Sequence, residues 1–131
     1  MRNFVLFVVA MLVSGPVQAA ELCPGGQLAV MRVSKIIPGG SMAGFREAAR
    51  DHANWYRAKG LPVTQFTAPV MVYSAKAKAQ VASDREIITV RLGKADVPRG
   101  KQDAGWAAFL AKYKANATIV SEMRTCWPKG V

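Results

Sequence analysis

The chain has 131 residues, with 18 lysines and arginines against 8 acids, one histidine and two cysteines, for a formal net charge of +10. That length suits one domain around a single core, and one histidine with two distant cysteines excludes an ordinary zinc set. The excess of positive charge favours anionic partners such as nucleic acid, phospholipid headgroups, cell-wall polymers or small acids, unless it serves solubility alone.

The first residues, MRNFVLFVVAMLVSGPVQA, combine a cationic start at Arg2, an apolar run from Phe4 to Val13 and a turn-prone Ser14-Gly15-Pro16. Small residues up to Ala19 suit cleavage. This pattern predicts a secretory signal peptide over 1–19, too short in its apolar run to span a bilayer. Cys23 follows Glu21-Leu22, which lacks the small residue of a lipoprotein site. The expectation is a periplasmic or secreted protein without lipid, with residues 20–131 as its single domain and no membrane span. Cations such as Lys76, Lys78, Arg99 and Lys101 fall in apparent loops, without interleaved aromatics, so nucleic acid is not the expected partner.

Gln27 to Ile37 is apolar and β-branched and predicts a strand, ended by Pro38-Gly39-Gly40. Ser41 then caps a helix from Met42 to Lys59, with Gly60 as its stop. Pro62 to Ser74 returns to strand, broken or bulged at Pro69. Ala75 to Asp84 reads as a polar connection, and a third strand runs from Glu86 to Leu92. After a loop over Gly93 to Gln102, Asp103 caps a second helix through Ala115. Thr118 to Thr125 forms the last strand. The order β-α-β-β-α-β is that of a ferredoxin-like α+β sandwich, two helices on one face of a four-stranded antiparallel sheet. In that topology the first and last strands lie side by side and antiparallel. Cys23 before the first and Cys126 after the last are then placed for a disulfide, as an oxidising compartment favours.

Alternation divides the strands into two faces. One holds Ala29, Met31, Val33, Ile88, Val90, Leu92, Ile119, Ser121 and Met123, and is the expected seat of the helices. The other holds Val30, Arg32, Ser34, Ile87, Thr89, Arg91, Val120, Glu122 and Arg124. This mixed face is open to three readings: solvated, paired with a second subunit, or lining a cavity whose arginines hold an anionic ligand. For an anion, Arg32, Arg91 and Arg124 are the candidates, with Glu122 orienting them.

Phe45, Ala48, Ala49, His52, Trp55 and Tyr56 share one stripe of the first helix, and Trp106, Phe109, Leu110 and Tyr113 share one of the second. Most of this aromatic content is therefore core. His52 is either a hydrogen-bonded core-edge residue or a base or axial ligand beside a pocket lined by Trp55 and Tyr56. No Ser-His-acid set or carboxylate pair accompanies it, and no cofactor or metal is called for. Asn116-Ala117-Thr118 matches a glycosylation acceptor.

The pattern Phe45, His52, Trp55, Tyr56, Arg57 and Gly60, after a strand and a Pro-Gly turn, resembles the dimeric α/β-barrel proteins. These include stress-responsive barrel, NIPSNAP-like and antibiotic-biosynthesis monooxygenase-like groups. The resemblance implies a homodimer with two sheets closed face to face, which would cover the mixed face. It also implies cofactor-free oxygenase or haem-handling activity as an alternative to a binding or accessory role with an anionic or aromatic ligand. The secretory signal and the cysteine pair depart from the mostly cytoplasmic members.

Overall fold

A computed structural model describes residues 22–94 and 96–130; the expected signal segment lies outside them. The elements are β1 (Gly26–Ile36), α1 (Met42–Ala58), β2 (Thr64–Ser74), β3 (Ala79–Leu92), a one-turn 3-10 helix (Arg99–Lys101), α2 (Ala104–Asn116) and β4 (Ala117–Pro128). The four strands form an antiparallel sheet in the order β2-β3-β1-β4. With both helices on one face, this is the ferredoxin-like α+β sandwich.

Local chemistry explains the helix limits. The Ser41 Oγ accepts from the Gly44 N–H at 3.0 Å, and Asp103 accepts from the Trp106 N–H at 3.0 Å, so each helix has a side-chain N-cap. α1 stops where Gly60 takes φ +64°, a left-handed turn that a side chain disfavours. The two helices are then tied together. Trp55 Nε1 donates to Asp103 Oδ1 at 2.8 Å, and Lys59 pairs with the same carboxylate at 2.6 Å. At the opposite end, Asn116 Oδ1 accepts from the Ser41 N–H at 2.9 Å while its Nδ2 donates to the Lys112 carbonyl. The amide that an Asn-x-Thr acceptor would need free is engaged in joining α2 to α1.

Two strand limits, the start of β3 and the end of β4, differ from expectation. Ala79 to Asp84 belongs to β3 rather than to a connection, because the hairpin pairs Met71 to Ser74 with Ala82 to Ala79. Ladder bonds from a neighbouring strand outweigh the weak β-propensity of Ala, Gln, Ser and Asp. The turn shrinks to Ala75–Lys78. The break at Pro69 is present as a register shift between Pro69 and Met71 on an edge strand. β4 continues to Pro128, so Cys126 lies within it, opposite Leu28. Cys23 and Cys126 form the disulfide, with Cα atoms 5.5 Å apart.

The assignment of the two sheet faces is reversed. Gln65 Nε2 donates to the Ala49 carbonyl of α1 at 3.3 Å and to Tyr113 Oη of α2 at 3.2 Å. Gln65 stands opposite Arg91, Arg91 opposite Val30, and Val30 opposite Arg124. The helices therefore cover the mixed face, and the apolar set built on Met31, Ile88, Val90 and Leu92 faces away from them. Alternation separates the two sets but does not say which one the helices take. That is fixed by chirality. β1 and β2 are parallel, both being antiparallel to β3, and a β-α-β crossover is right-handed in nearly all cases. β4 adds a second change. Its register shifts beside Val33 and Ser34, so Ile119 pairs with Ser34 and joins the helix side, while Val120 is left unpaired.

On the open face Ala29, Val90 and Leu92 are buried, with Met31, Ile88 and Trp127 packed against them. Phe66 and Met123 stay 41% and 56% exposed. Trp55, Tyr56 and Phe109 form the core between helices and sheet.

The disulfide closes a loop with a sequence separation of 103, for which chain-entropy reasoning gives about 4–5 kcal/mol. Replacing both cysteines with serine should lower the denaturation midpoint accordingly, with an unchanged far-ultraviolet spectrum at 25 °C. A midpoint equal to that of the parent protein would show that the staple carries no stability.

Candidate functional site

The inward stripe of α1 brings Phe45, Ala48, Ala49, His52, Trp55 and Tyr56 against the sheet and α2. Within it, the imidazole of His52 is only 7% exposed. It stacks on Phe109 at 4.1 Å between centroids and 16° between planes, and lies 4.5 Å from Tyr56. Trp106 and Tyr113 present edges at 5.7 and 5.9 Å. Of the polar groups in this region, His52 Nε2 and Arg91 Nε are buried without a hydrogen-bond partner among the described residues. Arg91 reaches outward from β3 only as far as a long 3.5 Å contact with Tyr56 Oη.

Burial, and then the charges of Arg91 and Arg32, pull the imidazole down to a pKa of about 3. His52 is therefore a neutral ring at physiological pH. Burial pushes the Tyr113 phenol up, above the ordinary tyrosine range, against the opposing hydrogen bond from Gln65. Glu122 on β4 accepts from Arg32 Nε at 2.6 Å and from Arg124 Nε at 3.0 Å. These two bonds hold its carboxyl below the usual glutamate range.

A cavity of about 130 Å³ opens between the helices and the sheet at this place. Arg32, Ser34, His52, Gln65, Thr89 and Tyr113 give it polar walls, and Phe45, Ala117, Leu110 and Ile119 give it apolar ones. Leu110 and Ile119 are exposed and form its outer part. The interior thus offers a neutral imidazole, a phenol, an amide, two hydroxyls and one guanidinium, framed by aromatic surface. Such a set can recognise a compact planar molecule with an acidic oxygen.

Of the residues singled out in the sequence, Arg32 and His52 line the cavity. Arg91 does not line it but is close enough to His52 for its charge to help hold the ring neutral. Arg32, Arg91, Glu122 and Arg124 do share one sheet face, but Glu122 holds two of the arginines and not Arg91. Arg124 is 63% exposed in its side chain. Trp55 and Tyr56 are buried in the core and do not line the cavity. Leu110, expected in the core, stands at the cavity's outer part. Gln65 and Tyr113 were not legible as site residues. Tyr113 shares the stripe of Trp106 and Phe109, and Gln65 is a single polar residue in an apolar strand, which was its only signal.

No family model matches the chain, and no curated protein matches it. Among solved structures the chain is similar to SnoaB, a cofactor-independent oxygenase from Streptomyces nogalater, with 12% identity and a TM-score of 0.46. The likeness covers 81% of this chain and 97% of that one.

The neutral imidazole has a consequence in acid. The unfolded histidine takes a proton near pH 6.5 and the folded one only near pH 3, so between these values the unfolded chain binds more protons. Stability is unaffected by this group above about pH 6.5 and falls as the pH drops towards 3, by on the order of 5 kcal/mol across the window. His52→Phe keeps an aromatic ring in the stack and removes the titration. Its stability relative to the parent protein should rise steadily from pH 7 to pH 4 in denaturant unfolding. Parallel pH profiles would mean that His52 takes its proton as readily in the folded chain as in the unfolded one.

Proposed function

We propose that the cavity around His52 binds a compact planar acid, such as a single-ring carboxylate or phenolate, and that the protein is an exported binding or accessory module. The observation that carries this reading is His52 Nε2, buried without a partner among the described residues, in a ring that lines a cavity walled by aromatic rings and Arg32. Buried polar atoms in native proteins nearly always have partners, so one left open on a cavity wall supports a ligand there. A volume of about 130 Å³ lies below the range of drug-sized pockets, which limits the ligand to a small molecule. A porphyrin, with four pyrrole rings, is larger than this space, so haem handling is not part of the proposal.

The Cys23–Cys126 disulfide supports an oxidising compartment, in keeping with the signal-like N-terminal pattern. Among the described residues no helix is long and apolar enough to cross a membrane. The open apolar sheet face supports a homodimer, since Met31, Phe66, Ile88 and Met123 form a patch that a second copy would cover. The pairing would join the apolar faces and leave each cavity within its own subunit.

A second reading, a cofactor-free enzyme of the oxygenase type, is favoured by one feature of His52. Arg91 and Arg32 help to hold the ring neutral. An anionic substrate placed beside them would offset their charge and raise the basicity of the imidazole as it binds. The ring would then act as the proton acceptor.

A panel of benzoates, phenols and their neutral amides, screened by ligand-observed nuclear magnetic resonance, tests the binding reading. The acids should bind, and Arg32→Ala should weaken them about 10- to 100-fold, the loss of a charge-assisted hydrogen bond. Equal affinity for the neutral amides would contradict it. The enzymatic reading requires in addition that a bound compound be consumed under air and that His52→Gln stop its consumption while leaving binding measurable.

A further inference from the structure

A second concave surface lies on the opposite side of α1 from the helix–helix contact. A groove of about 340 Å³ runs between α1 and β2. Arg46, Arg50 and Arg57 line it, with Ala49 and Ala53 between them. These positions recur every three or four residues and make one continuous stripe down the helix. The small alanines leave the bottom of the groove low, and the arginines stand along it.

Charge on α1 is sorted by side. Glu47 and Asp51 both turn to Lys112 of α2, at 2.5 and 2.7 Å. Arg46, Arg50 and Arg57 have no acid within ion-pair distance among the described residues. Arg57 donates to Asn54 and no further. All three are exposed. The groove thus collects positive charge that the fold does not use.

The other wall is β2, represented by Gln65, Phe66 and Thr67. In the order β2-β3-β1-β4, β2 is an edge strand, so among the described residues one side of its backbone has no neighbouring strand. Over Thr64 to Ala68 it carries no proline; Pro69 ends the regular run. An unpaired strand edge offers backbone donors and acceptors in register for one kind of ligand, another extended peptide. A phosphate polymer or an acidic sugar can use the arginines but not this edge.

We propose that the α1–β2 groove binds an extended acidic peptide segment, which adds to the free edge of β2 and sets its carboxylates against Arg46, Arg50 and Arg57. The dimensions agree. From Arg46 to Arg57 the helix rises about 16 Å, which an extended chain covers in about five residues. Carboxylates on alternate residues of such a segment all point to one side, the side of the arginines. This site is a different concavity from the one around His52, with Gln65 the one residue that borders both.

The test uses the protein and a peptide of sequence Glu-Val-Glu-Val-Glu, with blocked ends. Its Gln-Val-Gln-Val-Gln counterpart, a backbone N-methylated version and short-chain inorganic polyphosphate serve as comparisons. Binding is followed by isothermal calorimetry, and amide hydrogen exchange is followed residue by residue. The acidic peptide should bind, slow exchange within Thr64–Ala68, and lose at least tenfold affinity in the double variant Arg46→Ala/Arg50→Ala. These arginines are exposed, so the variant should fold as the parent does, and its unfolding midpoint checks that. The Gln peptide and the N-methylated peptide should each bind at least tenfold more weakly. The proposal is overturned if no binding is seen, if polyphosphate or the N-methylated peptide binds as tightly, or if exchange within Thr64–Ala68 is unchanged.

Discussion

The hand of the β1-α1-β2 crossover decides what this molecule can do. Two parallel strands joined through a helix must place that helix on one particular side of the sheet. The register of β1 and β3 puts Val30, Arg32, Ser34, Ile87, Thr89 and Arg91 on that side. Polar side chains are thereby enclosed between sheet and helices, where each must find a partner or bear the cost of desolvation. Gln65 finds two, in Ala49 and Tyr113. Arg32 finds Glu122. His52 Nε2 and Arg91 Nε find none among the described residues. The unsatisfied remainder of an otherwise well-paired layer is the basis for placing a ligand there.

The aromatic rings make this enclosure tolerable. Phe109 and Tyr56 hold His52 by ring contact, so that the imidazole packs as an apolar group would while keeping a nitrogen available. Trp55 and Asp103 lock the two helices at one end and Asn116 locks them at the other. The cavity therefore lies between two anchored helix ends. The apolar residues that might have filled it are instead on the far side of the sheet. There Met31, Ile88 and Trp127 cover Ala29, Val90 and Leu92.

Much of this architecture could be read from residues with a single strong local meaning. Ser41, Asp103 and Gly60 marked helix ends because capping is a short-range effect. Cys23 and Cys126 marked the neighbouring ends of β1 and β4 because topology brings them together. The extent of β3 was hidden, since Ala79 to Asp84 is held in the sheet by its partner strand and not by its own propensity. The covered face was hidden for a related reason. Alternation along β1 is the same whichever side the helix takes, and the more apolar set looked the better seat. The helices could take the polar face because they bring their own aromatic surface, Phe45, Tyr56, Phe109 and Tyr113. A bulge at Val120, which no residue type announced, moved Ile119 to the cavity. Gln65 gained its role only through two helices distant in sequence.

The central claim is that the helices cover the arginine-bearing face of the sheet. Proton–proton contacts measured by nuclear Overhauser spectroscopy on the labelled protein test it most directly. The account predicts contacts from the Gln65 side-chain amide to the Tyr113 ring and from the Arg91 side chain to the Tyr56 ring, with the Met31 and Ile88 methyls touching the cluster of Ala29, Val90 and Leu92. Contacts from the Met31 and Ile88 methyls to the rings of His52, Tyr56 and Phe109 would place the helices on the other face and contradict it.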